Sequence, residues 1–451
     1  MRNKIFREYD IRGIYLEDFD ENSAYTIGKA FGTYIKQQYY TKAMVGHDNR
    51  LSSDSLTKAL VNGIISSGVD VYDLGLVTTP MFYYAKKRHN TPCGIMVTAS
   101  HNPKEYNGFK ISFSDIGNAY GEMIQEFKKF IVQGNFDDGE GKVHSLNIRE
   151  DYINLLTSTL DIGNRRVKAL IDCGNGTGSI IIKDIMECLN ITYDLIYSES
   201  DGNFPNHHPD PSVKSNLLEL SNQVRSKGYT LGIAFDGDAD RVGIVAENGT
   251  ILSSDLVMDI FYRYLAQKMP VKKAIYDVKC SRALIEDLEK LGYDCTMYRT
   301  GNSYMNMKIN KDNYTFGGEY SGHIWFNDER FPGFDDGIYA GLRMIEVLSN
   351  TDKTVTALLE GLTEFISTDE IIKPVPEEKK FEIVEKVKEY ANSQGYKMID
   401  IDGVRVEFDD GWALVRASNT GPNLTLRFEA RSEERMHNIQ NEFQSFINSL
   451  I

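Results

Sequence analysis

The chain has 451 residues, 41% hydrophobic and 25% charged, the make-up of an ordinary globular protein with room for a large core. Its 65 acids outnumber the 50 Lys and Arg, giving a net charge of −15, which disfavours a nucleic-acid or anionic-membrane surface. No stretch approaches the run of roughly 18 apolar residues expected of a membrane helix, and Met1–Asp10 has no apolar signal core. The five cysteines are scattered and lack a CxxC pair, as reduced thiols in a cytoplasmic protein would be. Such a length predicts roughly three or four domains at about 100–200 residues each.

In chain order, Ala43–Val45 and Val69–Leu74 read as strands, with a helix from Ser53 to Ser67 between them. Gly94–Val97 is an apolar run that reads as a buried strand. A second unit of alternating strands and helices starts at Lys168–Asp172, and a third at Ala274–Asp277. This order argues for parallel or mixed sheets. After Pro374-Val375-Pro376 the composition changes. Glu377 to Ala391 is a charged helix with Phe381, Val384, Val387 and Ala391 on one face. Strands are expected at Val404–Phe408, Trp412–Arg416 and Asn423–Glu429, before a last helix carrying Met436, Ile439, Phe443 and Ile447. The expected domains are 1–148, 149–251, 252–366 and a C-terminal α+β domain, 367–451.

Chemistry-bearing residues sit in the loops. Thr98-Ala99-Ser100-His101-Asn102-Pro103 places Ser100 directly after the strand Gly94–Val97, where ligands bind in open α/β sheets. A serine is a weak nucleophile without a base, a metal or prior phosphorylation. Asp236-Gly237-Asp238-Ala239-Asp240-Arg241 lies between two β-patterned runs and sets three carboxylates at alternate positions, as a hard divalent cation requires. An EF-hand is excluded, because its sixth position needs Gly and here holds Arg241, and because the flanks are strands. Glu319 and Ser321 stand two apart in Gly317–His323, suited to gripping adjacent sugar hydroxyls. Arg416, Ser418, Asn419 and Thr420, with Arg427 further on, can cradle a phosphate dianion. Arg7, Arg12 and Lys279 form a third basic set. Gly174–Gly178 has G-x-G-x-G spacing, so a dinucleotide site is not expected there. Asn206–Pro211, with His207 and His208, reads as a rigid connector.

Taken together, these loops resemble the α-D-phosphohexomutase family, most closely its bacterial phosphomannomutase/phosphoglucomutase branch. Phe6–Gly13 resembles the family's opening, Thr98–Pro103 its phosphoserine loop and Asp236–Arg241 its metal loop. Gly318–His323 resembles its sugar-recognition loop, and Arg416–Thr420 its distal phosphate loop. The resemblance implies three similar mixed α/β domains and a smaller C-terminal α+β domain around a central cleft. It implies a phosphorylated Ser100 and Mg²⁺ held by Asp236, Asp238, Asp240 and a phosphoryl oxygen on Ser100. It also implies phosphoryl transfer between the 1- and 6-positions of hexose phosphates, through glucose or mannose 1,6-bisphosphate. Matching positions place Tyr9, Arg12, His101, Asn107, Lys110 and Lys279 at the reacting end, with Arg241 neutralising charge. Substrate contacts would come from Thr300, Gly301, Asn302, Glu319, Ser321, His323, Arg416, Ser418, Asn419, Thr420 and Arg427. Relatives commonly carry His where this chain has Asn302, and an amide cannot shuttle protons. Lys279 is therefore the expected general acid/base, if nearby charge lowers its pKa. A monomer or weak dimer is expected. Alternatives are a phosphoglucosamine mutase and a haloacid-dehalogenase-like phosphatase with Asp236 as nucleophile.

Overall fold

The computed structural model describes residues 1–451 except 115, 116, 270 and 420. Four sheets follow one another along the chain. The first has six strands, ordered Ile11–Ile14, Tyr106–Ser112, Gly94–Val97, Lys42–His47, Asp70–Leu76 and Val143–Ser145. Its Lys42–His47 strand runs parallel to both neighbours, whereas Gly94–Val97 and Tyr106–Ser112 are antiparallel. In the second sheet, Lys168–Asp172 lies parallel between Thr192–Ile196 and Leu231–Phe235, and the latter pairs antiparallel with Val242–Ala246. The third repeats the plan. Lys273–Asp277 lies parallel between Asp294–Tyr298 and Phe316–Gly318, and Phe316–Gly318 pairs antiparallel with Ile324–Asp328.

The fourth sheet is antiparallel, with Gly411–Ala417 at its centre between Val404–Phe408 and Asn423–Ala430. Two helices cover it, Lys380–Ser393 and Glu433–Asn448, and Met436, Ile439, Phe443 and Ile447 are buried against it. The helix expected from Glu377 begins three residues later, because Lys379 N–H first closes a turn onto Pro376 O. The Val69 strand starts at Asp70 and runs on to Leu76.

One geometric rule emerges from this layout. Ser100, Asp236–Arg241, Glu319–Gly322 and Ser418–Asn419 all lie in the connection between two antiparallel neighbours of their own sheet. The same corner of each sheet thus carries one functional loop.

Packing separates the fourth sheet from the rest. One apolar core runs through the second and third sheets and takes in Met44, Met81 and Phe82 of the first. Through it passes the helix Gly337–Ser349, apolar on nearly every side and buried along its whole length, as a helix of that composition must be. The fourth sheet has a core of its own and, among the described residues, shares with the third a small cluster of Val278, Trp412 and Leu414. Arg405 lies 3.9 Å from the Trp412 ring centre, and Trp412 Nε1 donates to Glu429 Oε1 at 2.7 Å. Among the described residues, no helix is long and apolar enough to cross a membrane. Trp412→Ala would open a cavity in this junction and leave Glu429 Oε1 with the Arg282 N–H alone of its two donors. It is expected to cost about 3–5 kcal/mol in chemical denaturation; a loss below about 1 kcal/mol would mean that the junction is not held there.

Candidate active site

Ser100 sits in the left-handed backbone region at φ 50°, uncommon for serine and typical of residues held by their surroundings for function. What holds it is Arg50, which sequence reading did not single out. Its buried guanidinium donates to four carbonyls of this loop: Ser100 O at 2.9 Å, Asn102 O at 2.6 Å, Pro103 O at 2.7 Å and Tyr106 O at 3.0 Å. Asp48 Oδ2, 3.1 Å from Arg50 Nε, neutralises it. From below, Thr98 Oγ1 accepts from Ser100 N at 2.8 Å. An arginine in a loop between strand and helix gives no local sign of what it will clamp.

The acidic loop is pressed onto Ser100. A Cβ on Gly237 would lie 2.5 Å from Ser100 O, so only glycine permits this approach. Ser100 Oγ donates to Asp236 Oδ2 at 2.9 Å and lies 3.2 Å from His101 Nδ1. Asp236, Asp238 and Asp240 are buried, with one oxygen each within 4.8 Å of the others. Burial and its two neighbours push Asp236 well above the usual carboxylate range, and burial with Asp238 raises Asp240. Burial also opposes ionised Asp238, but Lys110 and the hydroxyl of Thr79 outweigh it and hold this acid low. Lys110 Nζ donates to Asp238 Oδ2 at 2.8 Å and to Asp240 Oδ2, and these acids keep it charged against its burial. Thr79 Oγ1 donates to Asp238 Oδ2 at 2.6 Å. Asp238 Oδ1 and Asp240 Oδ1 remain buried without a hydrogen-bond donor among the described residues. Orphaned carboxylate oxygens at this spacing fit a hard divalent cation. The buried Gly174–Gly178 loop supports this arrangement instead of a dinucleotide: Thr177 N and Oγ1 donate to Gly237 O at 2.9 and 3.1 Å.

The four loops meet in a cleft of about 530 Å³. Arg12 enters it with NH2 2.5 Å from Asp10 Oδ2 and NH1 donating to Asn102 Oδ1 at 2.6 Å. His101 also lines it, and burial, then Arg241 and Arg12, hold its imidazole neutral by lowering its pKa. Arg241 Nε donates to His323 Nε2 at 3.0 Å. Glu319 receives Gly301 N–H at 2.7 Å and Ser321 Oγ–H at 3.0 Å. Thr300 is fixed by Asp277 at 2.8 Å and Asp402 at 3.1 Å, and Asn302 Nδ2 donates to Asp335 Oδ2 at 3.3 Å. Tyr9 OH donates to Thr300 O at 2.8 Å and accepts from Asn419 Nδ2, a bridge between the first, third and fourth sheets.

Arg416, paired with Asp402 at 3.0 Å, and Ser418 line the far wall. Behind them Lys380, another residue sequence reading missed, donates from a buried Nζ to Ser418 O at 2.8 Å. Asp210–Lys214, at the end of the histidine-containing connector, line the cleft too, while His207 is paired with Asp172 at 3.0 Å.

Three expectations change. Asn107 is fully buried and does not line the cleft: its amide donates to Ser52 and Ser53 Oγ at 2.8 and 2.9 Å, tying the strand Tyr106–Ser112 to the start of the helix Ser53–Ser66. Arg427 lies beneath the cleft wall, its guanidinium 3.8 Å from the Tyr320 ring centre and bonded to Lys279 O. It supports Lys279 and does not line the cleft. Lys279 does line it, but nearby charge does not lower its pKa as expected. Burial alone would lower its pKa, yet Glu370 at 2.9 Å and Asp277 overcome that and raise it. Thr420 lies outside the described residues.

Four loops on one cleft, a serine on an acidic trio and paired cations on opposite walls are the features of a phosphoryl-transfer site. Family models in the phosphoglucomutase/phosphomannomutase series match four successive segments. Alpha/beta/alpha domains I, II and III match residues 3–137, 150–249 and 253–365, and the C-terminal domain matches residues 370–445. A phosphomannomutase/phosphoglucomutase of Pseudomonas syringae is 40% identical over 98% of this chain and 94% of its own. A Neisseria gonorrhoeae phosphoglucomutase is 38% identical over 99% and 97%. The crystal structure of a phosphoglucomutase/phosphomannomutase family protein from Burkholderia thailandensis superimposes with a TM-score of 0.91, at 35% identity over 100% and 98%. The chain belongs to the phosphoglucomutase/phosphomannomutase family.

Arg50→Ala would leave Asp48 as a buried charge without its counter-ion. It is expected to cost about 3–5 kcal/mol in denaturant titration. Faster amide exchange should accompany the loss across residues 98–106; protection there equal to the parent's would remove Arg50 as the clamp.

Proposed function

We propose that the chain is a hexose phosphate mutase acting on mannose and glucose phosphates, with Ser100 carrying the transferred phosphoryl group. The observation that carries this reading is Ser100 Oγ on Asp236, at one end of a cleft whose opposite wall presents Arg416 and Lys279. Phosphoserine 100 donates its phosphoryl group to the free hydroxyl of a hexose monophosphate. The phosphorus–Oγ bond breaks as the bond to the sugar oxygen forms, giving a 1,6-bisphosphate. The bisphosphate turns over in the cleft, and Ser100 Oγ then accepts the phosphoryl group from the other position.

Asp236, Asp238 and Asp240 would hold Mg²⁺ together with a phosphoryl oxygen on Ser100, and the ion supplies charge neutralisation at the reacting end. Arg12, Lys110 and Arg241 share that task. Glu319 and Ser321 grip the sugar hydroxyls, with Asn302 beside them as a binding amide. Arg416, Ser418, Asn419, Thr420 and Lys279 hold the distal phosphate, which is why Lys279 must stay charged. His323 lines the cleft beside Arg241, and its imidazole can receive the hydroxyl proton once the Arg241 N–H turns from Nε2 to phosphoryl oxygens. We place the enzyme in the cytoplasm, as a monomer or weak dimer. Glucose or mannose 1,6-bisphosphate would prime Ser100.

A coupled assay of glucose, mannose and glucosamine 1-phosphates, with Mg²⁺ and trace glucose 1,6-bisphosphate, tests the reading. Turnover of the glucose and mannose substrates is expected, lost on chelation, with phosphate mapped by mass to Ser100. Label on Asp236 would point to a phosphatase, and turnover of glucosamine 1-phosphate alone to an amino-sugar enzyme. Lys279→Met is expected to raise KM about tenfold or more, at the scale of a charged hydrogen bond. The pH profile of kcat should not move; a displaced profile would return Lys279 to proton transfer.

A further inference from the structure

Beside the acidic trio, two buried atoms lack the partner their chemistry calls for. His323 is 4% exposed, and its Nδ1 has no hydrogen-bond partner among the described residues. Asp335 Oδ2 stands 2.8 Å from Nδ1 without bonding to it, and Asp240 Oδ1, 3.6 Å away, is the second bare atom. Asp335 lies at the end of the strand Phe331–Asp335 and is buried, as Asp240 is. One ligand atom from each of Asp240, His323 and Asp335 lies within 4.8 Å of the other two. The imidazole is held from its far side, where Nε2 accepts Arg241 Nε–H at 3.0 Å, and by a backbone bridge between Arg241 and His323. Nδ1 therefore stands fixed between two carboxylates.

We propose that Asp240, His323 and Asp335 form a second divalent-cation site, one that takes zinc and inhibits the enzyme. Ligands about 2.0–2.1 Å from a tetrahedral ion stand about 3.3 Å apart. The 2.8 and 3.6 Å separations around Nδ1 bracket that value. An imidazole nitrogen with two carboxylates is a donor set for zinc, and the carboxylates balance its charge. Mg²⁺ takes oxygen donors in octahedral order, so it favours the trio and leaves the imidazole to the softer ion. His323 lines the cleft, which gives the ion a way in. Asp240 belongs to the trio as well, so zinc here draws a ligand from the magnesium position. With Nδ1 on the metal, the ring's hydrogen must stand on Nε2. There it opposes the Arg241 N–H and leaves no lone pair to receive a proton. The inhibition rests on the mutase reading above; the site itself does not.

Zinc binding and zinc inhibition test this together. The full chain, freed of metal by chelation and then held in excess Mg²⁺, is titrated with Zn²⁺ by calorimetry. His323→Gln and Asp335→Asn are each expected to weaken one zinc site about tenfold or more, the scale on which even a ligand's supporting partner matters. Neither residue belongs to the trio, so zinc affinity equal to the parent's in both variants would overturn the proposal. The ion would then lie on the trio or on other histidines. Zinc-edge X-ray absorption of the parent with one equivalent of Zn²⁺ should show one imidazole among oxygen ligands; oxygen ligands alone would also overturn it. In the coupled assay Zn²⁺ should inhibit the parent, and Asp335→Asn should need about tenfold more for the same inhibition. Zinc bound at this site with turnover unchanged would overturn the inhibitory role. Calorimetry and absorption need no turnover. If the parent proves inactive on every hexose phosphate, the mutase reading falls and these two measurements still decide the site.

Discussion

Three carboxylates buried within 4.8 Å of one another are the constraint around which the rest of this molecule is arranged. Like charges about 4 Å apart repel by about 4 kcal/mol at an effective dielectric near 20, so such a cluster persists only when neighbouring groups answer it. Lys110 answers two of the acids, Thr79 one and Ser100 the third. The groups come from separate segments of the first sheet's region, so the acidic loop of the second sheet is stable only against the first. That dependence brings the reactive serine to the acids. The same electrostatic need that calls for a cation also fixes the docking of two sheets.

A repeated plan delivers the loops. In each of the first three sheets the functional segment joins two antiparallel neighbours, beside strands that run parallel. Strand ends are held by ladders and cores, so each loop inherits a fixed origin while its own sequence is free to differ. The first loop presents a nucleophile, the second acids, and the third a carboxylate and a hydroxyl. Chemistry is divided among copies of one corner.

The fourth sheet is attached in another way. Its apolar junction with the third is small, and many links are polar, among them Arg282 with Glu407, Arg405 with the carbonyls of Val278 and Cys280, Lys214 with Asp369, and Tyr9 with Asn419. Contacts of this kind resemble transient interfaces more than a shared core.

Much of this was legible in the residues. Gly94–Val97, Leu231–Phe235 and the amphipathic Met436–Ile447 helix announce themselves by periodicity, and Ser100 and the three aspartates by short-range spacing. What stayed hidden were roles made by groups distant in the chain. Arg50 looks like any loop arginine until its guanidinium meets four carbonyls about fifty residues on. Lys380 looks like a helix-surface cation until Ser418 O covers it. Asn107 and Arg427 carry residue types suited to a sugar phosphate, yet their partners lie beneath the cleft wall. Lys279 reads equally as a base or a fixed charge, and Glu370, 91 positions along the chain and 2.9 Å away in space, favours its charged form. Residue types and the local elements that carry them are readable along the chain, because hydrophobic period and loop spacing act over a few residues. Which charges and hydrogen bonds those residues meet is set by the fold, because burial and ionisation depend on neighbours that the chain brings together when it folds.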